Sequence, residues 1–157
     1  MIISTRESEE VRGKVLNMGI SQISGASRTS VGGYTEEERP HDTEQFDVSD
    51  QRTLDEVVHW LMDNGHIPSF CTACYRMGRT GEHFMEFAIP GFIKRYCTPN
   101  AILTLAEYLE DYSSENTKEL GYNLIAKELE KMPESVQKDK IIVNLEAIKQ
   151  GKRDFRF

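Results

Sequence analysis

The order of apolar and polar positions divides the chain into a mixed first part and a helical remainder. MIISTR at residues 1–6 is a short apolar run ending in polar residues and predicts a strand. ESEEVRGKVLNMG predicts a short amphipathic helix, and MGISQISGAS a second strand running into a Gly/Ser turn. A strand–helix–strand unit belongs to an α/β fold with a parallel sheet, where functional groups gather at the C-terminal ends of strands. Ser4, Arg6, Ser24 and Ser27 stand at those ends and are the candidate binding residues of this part. For the serines, ordinary turn chemistry with local backbone bonds is an equally open reading. Two strands do not make a stable parallel sheet alone, since such sheets need several neighbours and cover on both faces. The expectation is therefore the end of a truncated α/β barrel, or a small sheet completed by a partner or by a second copy in a homodimer.

Residues 28–50 are polar, carry a Gly-Gly pair and a proline, and show no apolar period, which predicts a loop or linker. A helix is expected from Thr53 to Asn64, with Leu54, Val57, Val58, Trp60 and Leu61 on its apolar face and Gly65 ending it. GEHFMEF predicts a further helix start. Thr98 and Pro99 read as the cap and first position of a helix over 100–112, followed by helices over about 115–132 and 135–151. Ile141, Ile142, Leu145 and Ile148 form the apolar stripe of the last one. The expected organisation is an α/β fragment at residues 1–34, a linker at 35–52 and an all-α part at 53–157.

With 157 residues, the chain is long enough for one ordinary core. No apolar run approaches the roughly 20 residues of a membrane-spanning helix, and the first residues lack the pattern of a secretory signal, so a cytoplasmic location is expected. A net charge of -7 argues against a nucleic-acid partner. Between the outer cysteines, however, the balance is positive, with Arg76, Arg79, Lys94 and Arg95 against two acidic residues. Cations there suit thiolates and an anionic metal centre, although a solvated surface is as open a reading for Arg76 and Arg79.

The chain contains three cysteines, an odd number that does not suggest a disulfide framework. Cys71 and Cys74 form a C-x2-C clip able to bring two sulfurs to one centre, and Cys97 follows after 22 intervening residues. Three thiolates on a four-iron cube leave one iron free for another ligand. Zinc, closed by a fourth ligand such as His66 or His83, is left open by the spacing. A zinc-stabilised helical interaction module and a metal-free helical adaptor are the rival functional readings. His59 is expected half-buried or on the surface of its helix, and His41 solvated in the linker. Phe84, Met85, Phe87, Ala88, Ile89, Phe92 and Ile93 read as helix packing or as a dry wall about the centre.

Residues 71–112, with their C-x2-C-x22-C spacing, Tyr75-Arg76, Gly78-Arg79-Thr80-Gly81 and the closing GKRDF at 151–155, closely resemble the C-terminal region of the radical S-adenosylmethionine tyrosine lyases that mature [FeFe]-hydrogenase. STRES at 4–8 and SGASRTSVGGY at 24–34 resemble the last two barrel strands of that family and of the related tyrosine lyase of thiamine thiazole synthesis. The resemblance implies that Cys71, Cys74 and Cys97 carry an auxiliary [4Fe-4S] cluster with an open site that takes up an extra iron. It implies a full-length enzyme in which a second [4Fe-4S] cluster, on a C-x3-C-x2-C motif absent from this sequence, cleaves S-adenosylmethionine. Tyrosine then gives p-cresol and dehydroglycine, and the latter gives carbon monoxide and cyanide for an iron precursor of the hydrogenase site. By the same match Ser4 and Arg6 would line the tyrosine or S-adenosylmethionine pocket, with Ser24 and Ser27 as weaker hydrogen-bonding candidates and Arg76 and Arg79 beside the cluster. The family's extra iron is held partly by a histidine outside this segment, so His41, His59, His66 and His83 receive no such role. Other hydrogenase maturation proteins are the implied partners, and this chain alone is expected to be inactive.

Overall fold

A computed structural model describes residues 2–30, 32–34 and 45–157; His41 and residues 35–44 of the expected linker lie outside them. The chain divides into two compact units, Met1–Val57 and Val58–Phe157, with the division falling inside a helix.

In the first unit the strand–helix–strand reading holds, in shorter form. β1 is Ile2–Ile3, α1 is Glu9–Asn17 and β2 is Gln22–Ile23. The strands pair in parallel, Ile2 opposite Gln22 and Ile3 opposite Ile23. Each strand keeps two residues because among the described residues neither has a second neighbour to extend the ladder. Ser8 caps α1, its hydroxyl accepting from the Val11 N–H, and Glu9 and Glu10 lie in the positive first turn. The side chain that α1 buries completely is not apolar. It is Arg12, whose guanidinium reaches the Ser24 carbonyl and the Asp50 carboxylate. Arg52 holds the same carboxylate in a fork, Nε to Oδ1 at 2.9 Å and NH2 to Oδ2 at 2.6 Å, and also pairs with Glu9 at 3.2 Å. Asp50 in turn donates its N–H to the Thr5 carbonyl at 2.9 Å, tying the loop before α2 to the end of β1.

Helix α2 spans Leu54–Asp63, as its spacing predicts. Thr53 and Glu56 form a reciprocal capping box, with the Glu56 N–H donating to Thr53 Oγ1 at 3.3 Å and the Thr53 N–H to Glu56 Oε2 at 2.7 Å. Gly65, at φ +77°, ends the helix in the left-handed conformation that glycine adopts without strain. Two short helices follow, α3 at Ala73–Arg76 and α4 at Gly81–Ala88.

Three long helices build the core of the second unit: α5 at Lys94–Asp111, α6 at Glu115–Lys131 and α7 at Val136–Lys149. Ser114 and Ser135 cap α6 and α7. α5 is central, and Ile102, Leu103, Leu105, Ala106 and Leu109 are all buried on it. Such a spread covers most of its circumference, which a helix shows when neighbours flank it on several sides. Those neighbours are Val58 and Met62, Ile125 of α6, and Ile141, Leu145 and Ile148 of α7. Ile142 departs from the expected stripe and is 44% exposed, because one residue along a helix turns the side chain about 100° away.

The start of α5 differs from the sequence expectation. The helix begins at Lys94, so Thr98 is not its cap and Pro99 lies inside it. A proline there leaves the carbonyl four residues back without its N–H partner. That carbonyl, of Arg95, accepts instead from Gln137 Nε2 at 2.6 Å, which lets the helix run through the proline. Gln137 belongs to α7, so a partner remote in sequence sets this boundary.

Gly121 of α6 packs tightly against Leu109 of α5. A Cβ built there would lie 2.5 Å from Leu109 Cδ1 and 2.7 Å from Cδ2. Leu109 is buried and has little room to yield. Gly121→Ala gains about 1 kcal/mol of helix propensity but costs about 1–3 kcal/mol in overpacking, and a net loss of stability is expected. Urea denaturation checks this, and an unchanged or raised midpoint would refute the close packing.

Candidate metal centre

The three cysteines stand on a loop–helix frame within the second unit. Cys71 precedes α3, and its sulfur accepts the Ala73 N–H at 3.4 Å. Cys74 lies in α3, and its carbonyl accepts the Arg79 N–H at 2.8 Å, closing the hairpin after the clip. Gly78 and Gly81, both at positive φ, let the chain reverse on either side of Arg79. Cys97, expected just ahead of a helix, sits in the first turn of α5, its N–H donating to the Ile93 carbonyl at 2.9 Å. All three are free thiols.

The Cys97 thiol is pushed above its ordinary pKa, first by desolvation of the sulfur, then by Cys74 and Cys71, with Arg79 acting in the opposite sense. The three sulfurs and the guanidinium therefore share one electrostatic environment. A single zinc ion requires its donors within about 2.3 Å of one point. Among the described residues, no three Cys, His, Asp or Glu side chains converge in that way. A cubane spreads its irons, so three cysteines need only reach three separate corners. Three thiolates are the donor chemistry that an iron–sulfur cluster takes, and a buried cation near them suits an anionic centre.

Among the described residues, no histidine joins a group of three metal donors. His83 Nδ1 pairs with Glu86 at 3.1 Å, and half-buried His59 meets Thr117 Oγ1 at 3.2 Å; His66 belongs to no such donor group.

Neither arginine of the clip hairpin is simply solvated. Arg76 makes a two-bond fork with Asp154, one bond of which is 3.0 Å from NH2 to Oδ2. Asp154 also accepts from Arg156, and these hydrogen bonds hold its carboxyl down at about 2. Arg79 is 8% exposed. Its NH2 donates to the Phe157 carbonyl at 2.9 Å, and its guanidinium lies 4.4 Å over the Tyr96 ring. Asn100 fixes Phe157 further, accepting its N–H at 2.8 Å and donating to its carbonyl at 3.3 Å. Asp154, Asn100 and Phe157 were not foreseen as site residues; GKRDF stood out by resemblance, but no spacing pairs it with the cysteine hairpin. A pocket of about 120 Å³ opens beside Cys71, Arg76, Glu107 and Asp154. The apolar stretch 84–93 forms no buried wall, as α4 has no buried residue, and Ile89 is 79% and Phe92 50% exposed.

In the first unit, the Ser4 hydroxyl accepts the Arg6 N–H at 3.2 Å, the local turn bond that serines of this kind make. The Arg6 guanidinium lies 4.1 Å over the Phe46 ring. The Ser24 N–H donates to the Ile3 carbonyl at 3.0 Å, which sets Ser4 and Ser24 at neighbouring strand ends. Ser27 is half-buried nearby in the chain.

Residues 1–67 match the family model of the biotin and thiamin synthesis associated domain. The crystal structure of HydG, described as a maturase of the [FeFe]-hydrogenase, matches all of the chain at 47% identity with a TM-score of 0.91. The chain is HydG-like throughout. It spans 34% of the HydG chain it matches. No curated protein matches it by sequence. The match to HydG covers both units, the short parallel sheet and the cysteine-bearing helical unit alike. Among the described residues, no helix of this HydG-like chain is long and apolar enough to cross a membrane.

Proposed function

We propose that this chain is the auxiliary-cluster part of a radical S-adenosylmethionine tyrosine lyase that matures [FeFe]-hydrogenase, with Cys71, Cys74 and Cys97 as cluster ligands. The observation that carries the reading is the buried Arg79, which joins the clip to the first turn of α5 through its N–H on the Cys74 carbonyl and its guanidinium over Tyr96, in a chain that matches HydG at 47% identity over all of its own length. When bound, a [4Fe-4S] cluster held by three cysteines supplies one iron with an open position, a soft Lewis-acidic site for small anions or an extra iron. The chain's own residues hold the sulfurs at fixed places, two on the clip around α3 and one on the first turn of α5. In the first unit, Ser4 and Arg6 are proposed to face the tyrosine or S-adenosylmethionine pocket of the whole enzyme, where the Arg6 fork suits a substrate carboxylate. Residues 1–34 are proposed to be barrel strands, 35–52 a linker and 53–157 the cluster domain. Tyrosine and S-adenosylmethionine are the proposed substrates, and other hydrogenase maturation proteins the proposed partners.

Anaerobic reconstitution of the chain with iron and sulfide tests the metal assignment. The expected product carries about four irons and four sulfides per chain, with an electron paramagnetic resonance signal on reduction. Stoichiometric zinc without sulfide, or no bound metal, would overturn it.

A further inference from the structure

The C-terminal residues 153–157 are tied to the second unit at every step. Arg153 forks onto Asp111, with Nε to Oδ2 at 2.8 Å, and the N–H groups of Asp154 and Phe155 both donate to Glu107 Oε1, at 2.8 and 3.2 Å. Asp154 adopts φ +70°, a left-handed conformation that a non-glycine residue keeps only when its surroundings impose it. Its carboxylate and the Phe157 carbonyl capture Arg76 and Arg79 respectively. Arg79 is thereby fixed between the two ends of the cysteine set. Its backbone N–H holds the Cys74 carbonyl, and its guanidinium lies over Tyr96, the residue before Cys97. Its Nε is buried and has no hydrogen-bond partner among the described residues. Leaving an N–H of a buried cation without an acceptor is costly, so such a donor calls for an acceptor that completes it.

We propose that residues 153–157 act as a strap that clamps Arg79 in place, leaving its Nε–H to donate to the sulfur centre held by Cys71, Cys74 and Cys97. The proposal rests on the cluster assignment above. Arg79 is a positioning and tuning residue, since it carries no ligand atom. A cation and an N–H donor beside the cluster favour its more reduced, more negative state, and so raise its reduction potential.

The test uses the reconstituted full chain, with iron and sulfide content measured beside a redox titration followed by electron paramagnetic resonance. Arg79→Gln is expected to retain the iron and sulfide of the unaltered protein, while its ratio of reduced to oxidised centre at a fixed potential falls about tenfold, a shift of about 59 mV to the negative for one electron. Arg79→Lys, which restores the charge without the Nε donor, is expected to recover part of the shift. Asp154→Ala, which releases the strap, is expected to move the potential in the same direction. A loaded Arg79→Gln protein with an unchanged potential overturns the proposal. If that variant does not load, Arg79→Lys decides: a potential equal to that of the unaltered protein overturns the proposal, and a negative shift supports it. Failure of the unaltered chain to take up iron and sulfide would instead overturn the cluster assignment itself.

Discussion

Replacing Cys97 with serine is expected to abolish stable iron and sulfide binding on reconstitution, with Cys71→Ser and Cys74→Ser giving the same result. A cubane held by three cysteines has no spare ligand, so losing one leaves two irons without protein support. A serine hydroxyl is a hard, weakly acidic donor that binds iron–sulfur centres poorly compared with a thiolate. The fold itself should survive. Cys97 is exposed and in the first turn of α5, and none of the three thiols belongs to the buried cluster of Ile102, Leu103, Leu105 and Leu109. Circular dichroism should therefore match the unaltered protein while absorption near 400 nm, about where such clusters absorb, is lost. Retention of iron and sulfide by Cys97→Ser would remove that residue from the ligand set.

Asp50→Ala is expected to destabilise the first unit by about 3–5 kcal/mol, because Arg12 would keep its charge in a site with no solvent and no carboxylate. The side chains of Arg12 and Asp50 are 0% and 2% exposed, so water does not take over when one is removed. The cost comes from orphaning a buried ion rather than from losing a strong bond. A double variant, Arg12→Met with Asp50→Leu, removes the buried pair and leaves the partly exposed Arg52 its bond to Glu9, so it should recover most of the loss. Limited proteolysis within residues 2–30 reads this directly. Equal stability of Asp50→Ala and the unaltered protein would show that the pair is not desolvated.

Both effects concern features with very different visibility in the amino-acid order. The clip, the helix over Leu54–Asp63 and the two helices after α5 were legible because each depends on residues within a few positions of one another, and the parallel strand pair because a strand–helix–strand order implies it. The Arg12–Asp50 pair was not, since a buried charge on a short polar helix looks like any solvated one until its partner, 38 positions later, is placed beside it. The same limit applies to Arg76 and Arg79, whose partners lie 78 residues away in both cases. The misread start of α5 has a related cause: Thr-Pro is a sound local signal for a helix beginning, and a distant glutamine outweighs it. At the site, the three cysteines proposed as ligands stood out by spacing and resemblance. The residues that hold its hairpin were not, because nothing in a one-dimensional pattern joins the end of the chain to its middle.

The proline inside α5 has one further effect. Pro99 follows Cys97 by two positions, and the turn carrying that sulfur lacks one of the bonds that would fuse it to the body of the rod. Gln137 supplies the replacement from another helix, so the turn that carries the proposed third ligand is braced crosswise as well as by its own coil. Loosening that brace would free the first turn while leaving the rest of the central helix intact, which would give α7 leverage over the proposed cluster site.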